Sequence, residues 1–138
     1  MENMKFRGRV KGGRKWVFGN GIAMNETFAA IVVEYLKDGS LRTVDVEKET
    51  IGQYAGIKDD DENKIYGGDI GSFVLHDFRG DAETRVCAVR WDEERLAWML
   101  DDGRETLAYL GDDSAVGSIR LIGDIHNNPE LLEEACGE

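Results

Sequence analysis

Short apolar runs separated by turn residues leave this chain little choice but a sheet. β-branched and aromatic residues cluster in those runs, and seventeen glycines against a single proline supply the breaks. Runs so short and so punctuated belong to a mainly β domain. "KFRGRV" and "RKWVFGN" alternate bulky apolar and basic residues around "KGG", which predicts a hairpin on a sheet with one wet face. "TFAAIVVEYL" is more continuously apolar and reads as a central strand buried on both faces. A helix is the alternative there, because periodicity does not separate the two in a short run.

Turn chemistry divides the rest. Asp38-Gly39 leads into "LRTVDV", and Asp101-Asp102-Gly103-Arg104 separates "RLAWML" from "ETLAYL". Both read as hairpins closed by type I′ turns, whose positive φ angles Asp-Gly tolerates. Trp98 and Tyr109 then stand ready to pack among cross-strand neighbours. "DIGSFVLHDF" and "ETRVCAVRW" are strands joined through Arg79-Gly80-Asp81, a match to a cell-adhesion tripeptide that reads here as a plain turn. "SIRLIGDI" is the last strand. "HNNPELLEEA" opens a short helix with Asn128 as its cap and Pro129 at its first position. Leu131, Leu132 and Ala135 share its docking face, while Glu133 and Glu134 oppose the dipole and keep it short.

At 138 residues the chain fits one domain and buries roughly two-thirds of its unfolded surface, without need of a disulfide or metal. Cys87 lies in an apolar run as a core residue, and Cys136 reads as a tail thiol. With no CxxC pair, zinc and dithiol redox chemistry are not expected, and the usage fits a reducing cytoplasm. The opening residues lack an apolar targeting segment, and "FAAIVV" is too short to cross a bilayer. A soluble cytoplasmic protein with no membrane association is expected.

Charge is divided unevenly. Lys5, Arg7, Arg9, Lys11, Arg14 and Lys15 against Glu2 give residues 1–20 a net +5, so the remainder carries −16. These six cations form a candidate interaction arm. An acidic body repels phosphate backbones, so self-docking or contact with another subunit is favoured over nucleic acid.

Motifs for catalysis fail one by one. An EF-hand starting at Asp59 has suitable oxygens at Asp61 and Asn63, but Lys64 occupies its glycine position and Ile70 its bidentate position. A P-loop over Gly8 and Gly13 has Arg14 in place of lysine and no helix behind it. His76 and His126 are the only histidines, no nucleophile elbow surrounds any serine, and Asp77 would point away from His76 on a strand. No catalytic residue, metal or cofactor is expected. "IKDDDENKIYGGDI", residues 57–70, reads as a turn and the start of a strand, anchored by Ile65 and Tyr66 and bent at Gly67-Gly68.

Four blocks of the chain carry a resemblance. "KFRGRV…RKWVFGNGI" resembles the opening of the YopX proteins, a family encoded largely in bacterial phages and prophages. "VDVEKETIGQYAGIKDDDENKIYGGDIGSF", residues 44–73, is similar to its central signature, with Gln53, Tyr54, Gly56, Lys58, Asp59, Ile65, Tyr66, Gly68 and Asp69 in matching places. "VRW" and "IGDIHNNPELLEE" resemble later landmarks, in the family's order. Ala55 replaces a usual Thr, Gly67 a usual Glu, and Asp61-Glu62 a usual Asn-Gly.

The resemblance implies a β-rich fold whose later part is similar to an SH3-like barrel. With the residue pattern, residues 1–138 read as a single domain: an N-terminal β-hairpin extension or subdomain over 1–50, the barrel part over 51–138, and a short C-terminal helix. It implies no catalytic residue. The leading expectation is a non-enzymatic phage or prophage accessory protein that binds a protein partner or itself. The alternatives are nucleic-acid association through the basic arm with Trp16 or Phe18, and an acidic mimic of DNA that occupies a host protein. A third reading is a divalent-metal enzyme built on Asp59–Asp69.

Overall fold

A computed structural model of the chain describes residues 4–34 and 39–132. The fold is mainly β, and it divides into two compact units, Met1–Tyr54 and Ala55–Glu138.

In the first unit, β1 (Phe6–Arg9) and β2 (Trp16–Gly19) form the expected hairpin, with Phe6 opposite Gly19 and Arg9 opposite Trp16. β3 (Gly21–Met24), β4 (Ala29–Glu34) and β5 (Leu41–Asp45) make a three-stranded antiparallel sheet with β4 in the middle. The continuous apolar run is therefore a central strand and not a helix. Both its edges are paired, and Ala30 and Ile31 are fully buried. A short 3₁₀ turn, Lys48–Thr50, leads into β6 (Gly52–Lys58), whose Gly52 and Gln53 pair with Arg7 and Phe6 of β1.

Besides the hairpin, this unit holds the three-stranded sheet. Ala29, Ile31 and Val46 are buried with Phe6, Val17, Val33 and Ile51 around them, so this unit has a core of its own. Two contacts fix the layers. A Cβ at Gly19 would run into the Val32 carbonyl, so only glycine lets β2 approach β4 this closely. The buried Thr50 hydroxyl donates to the Glu47 carbonyl (2.6 Å) and accepts the Arg9 N–H (2.8 Å), tying the 3₁₀ turn to β1. Of the Asp38-Gly39 turn, Asp38 lies outside the described residues; Gly39 has the positive φ, +69°, that such a turn needs.

In the second unit, β7 (Lys64–Tyr66) lies beside β6. β8 (Asp69–His76), β9 (Ala82–Asp92), β10 (Ala97–Asp101), β11 (Thr106–Tyr109) and β12 (Val116–Asp124) form one antiparallel sheet in the order β11-β10-β9-β8-β12. Strand alternation gives this sheet two buried faces. Phe73, Cys87, Val89 and Leu100 pack with Ile65, Leu110, Val116 and Ile119 on one. Ile70 and Ala88, directly opposite each other in register, pack beneath Leu132 on the other. Double burial explains why "DIGSFV" and "RVCAV" show little polar alternation.

Two local expectations are corrected. The β10–β11 connection is not a two-residue type I′ turn. The register shifts at Leu100/Asp101, Asp102 N–H bonds the Glu105 carbonyl, and the Asp102 carboxylate holds the loop from inside. Nor does the Asn128 side chain cap the last helix. It accepts the Asp124 N–H (3.2 Å), and the helix starts with backbone bonds from Leu131 and Leu132 to the Asn128 and Pro129 carbonyls. Leu131 and Leu132 do dock on the sheet; Glu133, Glu134, Ala135 and Cys136 lie outside the described residues.

Candidate interaction surfaces

The acidic stretch is a knot. Asp59 is only 5 % exposed, and its carboxylate accepts N–H groups from Asp61 (3.0 Å), Asn63 (2.8 Å) and Leu121 (3.1 Å) and the Asn63 side-chain amide (3.2 Å). Burial alone would push this carboxyl up; the bonds from Leu121, Asn63 and Asp61 outweigh it and hold Asp59 below the ordinary carboxylate range. Asp60 clamps the same strand, donating its N–H to the Ile119 carbonyl (2.9 Å) and accepting the Ile119 N–H (3.2 Å). With four donors on it, the Asp59 carboxylate is committed to joining the 59–63 turn to β12. Among the described residues, no group of three His, Cys, Asp or Glu is arranged to hold a metal ion.

The other signature positions take structural posts as well. Gln53 pairs with Phe6, and Tyr54 donates its N–H to the Lys5 carbonyl. Lys58 meets Glu62 at 3.8 Å in an exposed pair, while Ile65 and Tyr66 are buried. Gly56 and Gly68 have positive φ, and the Gly68 N–H bonds the Val89 carbonyl. Asp69 turns its carboxylate back onto the Tyr66 N–H (2.8 Å), closing the bend.

The same device recurs at turn after turn of the second unit. Asp77 accepts the N–H groups of Arg79 and Asp81, so the Arg79-Gly80-Asp81 tripeptide is a carboxylate-held turn. Asp92 holds Glu94 and Arg95; Asp101 holds Gly103; Asp112 holds Ser114; Asp124 holds His126 and Asn127. Asp102 holds Arg104 and Glu105 and also pairs with Arg85 at 2.6 Å. The Glu105 N–H first, then those of Arg104 and the Arg85 charge, keep the Asp102 carboxyl low against its burial. The Tyr109 hydroxyl, at 2.9 Å, lowers Asp92 and is itself pushed up by that carboxylate. The Ser114 hydroxyl lowers Asp112.

The six basic residues near the start do not form a free arm, and they separate. Arg7 is 6 % exposed, and its guanidinium lies 4.2 Å from the centroid of the Trp16 ring. The face expected to be wet is closed at this point, because the indole stacks on the cation. Arg9 is half-buried. Lys5, Lys11, Arg14 and Lys15 are exposed, the last three on the β1–β2 turn. That turn is pinned: Val10 N–H bonds the Lys15 carbonyl, Lys11 N–H the Asp45 carbonyl, and Gly12 N–H the Glu47 carboxylate.

Sequence reasoning passed over a second surface. At the β9–β10 turn, Trp91 is 42 % exposed and packs edge-on against Trp98, with ring centroids 5.1 Å apart. Leu96 follows, 70 % exposed and held at φ +52°, in the left-handed region that glycine or asparagine normally fills. The Tyr109–Asp92 bond, and the Leu110 N–H on the Trp98 carbonyl, bring the β11–β12 loop to the same end of the sheet. Exposed Glu93, Glu94, Asp112 and Asp113 cluster there with Arg95. The signal was present in "WDEERL", a turn with no glycine and a leucine where one would serve.

No curated protein matches the chain. Among the described residues no helix is long and apolar enough to cross a membrane. The YopX protein family model matches residues 5–133, nearly the whole chain, and the chain belongs to the YopX family.

Proposed function

We propose that this chain is a non-enzymatic accessory protein of phage or prophage origin that works in the bacterial cytoplasm by protein association, foremost with itself. One observation carries the reading: the separation of charge between the units. The first holds nine basic and seven acidic residues, net +2, with exposed cations gathered on one pinned turn. The second holds eight basic and twenty-one acidic residues, net −13. Copies of such a chain attract head to tail, since the positive patch of one complements the negative patch of the next. The nucleic-acid reading has less support, because Trp16 is already covered by Arg7 and only part of the arm reaches the surface.

We also read the second unit as an SH3-like barrel. Support comes from its short antiparallel strands, with β12 returning to the far side of β8, around one core that draws on β7 through β12.

Light scattering on the full chain across a salt series tests self-association. A weight-average mass that rises with protein concentration in low salt and falls back in high salt is expected. A constant monomer mass under all conditions would overturn the reading.

A further inference from the structure

We infer that the acidic, aromatic end of the second unit's sheet is a docking surface for the basic β1–β2 turn of a second copy of this chain. The inference rests on the self-association reading and assigns its two surfaces.

Three observations converge on this end of the sheet. Trp91 and Leu96 are both exposed at one hairpin, and two large apolar side chains close together in sequence offer area to a partner. Leu96 holds that exposed position from a left-handed backbone conformation, where a side chain is a burden to the fold; strain kept in this way points to a use. Around the patch, Asp92, Glu93, Glu94, Asp112 and Asp113 against Arg95 leave a local charge of −4. Glu93, Glu94 and Asp113 hold no turn among the described residues, unlike the aspartates that earn their place structurally.

The occupant must therefore be basic, compact and able to stack on an indole. Within this chain the turn "VKGGRK" meets each requirement. Lys11, Arg14 and Lys15 are all exposed on one short turn whose backbone is already fixed by Asp45 and Glu47, so little ordering is lost on docking. Gly12 and Gly13 carry no side chain to hold the two backbones apart. Arg14 is suited to lie over Trp91, as Arg7 lies over Trp16 within the fold. Lys11 and Lys15 would face Glu93, Glu94 and Asp113. Because the two patches differ, the contact is heterologous: each copy offers one turn and one acceptor, and copies add in series unless a ring closes.

Charge reversal with exchange tests it on the full chain. The triple variant Lys11→Glu, Arg14→Glu, Lys15→Glu and the double variant Glu93→Lys, Glu94→Lys are each expected to be monomeric by light scattering at about 50 mM salt, where the wild type associates. Mixed at equal amounts, they should associate again, since the unchanged basic turn of the double variant fits the unchanged acidic end of the triple variant. That recovery also shows both variants to be folded. Trp91→Ala should weaken wild-type association about tenfold with little change in its salt dependence. If the wild type associates but the reversed variants associate equally well, this surface is wrong while self-association stands. A wild type that is monomeric throughout overturns both.

Discussion

The two units solve the same problem, holding tight turns between strands, with different chemistry. In the second unit eight aspartates, Asp59, Asp69, Asp77, Asp92, Asp101, Asp102, Asp112 and Asp124, accept backbone N–H groups from residues close in sequence. In the first, the comparable turn is made by Asn25, whose side-chain oxygen accepts the Thr27 N–H at 2.9 Å with no charge at all. Among the described residues, the other first-unit fastenings include glycine, the Thr50 hydroxyl, the Asn20 amide oxygen on the Lys5 N–H and backbone bonds. The Glu47 carboxylate on the Gly12 N–H reaches a residue distant in sequence. Asp and Asn serve the same turn geometry, but the carboxylate makes the stronger, charge-assisted bond. Much of the −13 is thus a by-product of turn construction: without those eight charges the unit would stand at −5. Total charge is accordingly poor evidence for mimicry of nucleic acid. The charge difference between the units favours association, and the acid not committed to turns points to where a partner would sit.

The contrast is broken most directly at Asp59. Replacing it with Ala strips an acceptor from four donors in a buried turn, and a loss of about 3 kcal/mol is expected. Asn25→Ala removes an exposed neutral acceptor and should cost about 0.5 kcal/mol. Urea unfolding at unchanged slope reads both. Asp59→Asn should fall between them, since it keeps an acceptor and loses the charge. Equal losses at Asp59 and Asn25 would mean that carboxylate turns do not set the second unit apart.

Acid sharpens the same point with a smaller effect per residue. Asp59, Asp92, Asp102 and Asp112, all in the second unit, have carboxyls held below their ordinary value by the bonds they accept. A group depressed in the folded state adds stability that is complete above its unfolded pKa, about 3.9 for aspartate, and is lost as pH falls through the folded value. Stability should therefore be flat from neutral pH to about 5 and decline below about 4. Amide exchange followed down that range should lose protection first at the 59–63, 92–96 and 102–105 turns. Earlier loss in β3–β5 would contradict the assignment.

How much of this was legible beforehand follows from range. Hairpins with local turn signals were readable: β1–β2, β4–β5 and β8–β9 stand where "KGG", Asp-Gly and "RGD" placed them. So was Ile65-Tyr66 as an anchor and the acidic stretch as a turn. What escaped depends on partners distant in sequence. Nothing local tells that Asp59 would reach Leu121, or that β12 would return beside β8. The basic residues looked equivalent in a string; pairing across the hairpin buried Arg7 against Trp16 and left Lys11, Arg14 and Lys15 on the surface. Trp91 and Leu96 were missed because exposure is a tertiary property, and an apolar residue beside a strand reads first as core.

The smallest effect separates strain that is tolerated from strain that has a use. Glu62 and Leu96 are the described non-glycine residues with positive φ, at 69° and 52°. Glu62 stands where the family resemblance places glycine. A side chain in that conformation is unfavourable by about 1–2 kcal/mol. Glycine removes the penalty but gains backbone freedom when unfolded, worth about 0.5–1 kcal/mol. The exposed pair with Lys58, at 3.8 Å, contributes only about 0.3 kcal/mol. Glu62→Gly should therefore raise stability by about 0.5 kcal/mol and leave association unchanged. Leu96→Gly should stabilise the fold by a similar amount, less its own modest packing, yet weaken association of the full chain. If both variants gain stability and both associate like the wild type, the Leu96 backbone is mere tolerated strain, and the docking surface must do without it.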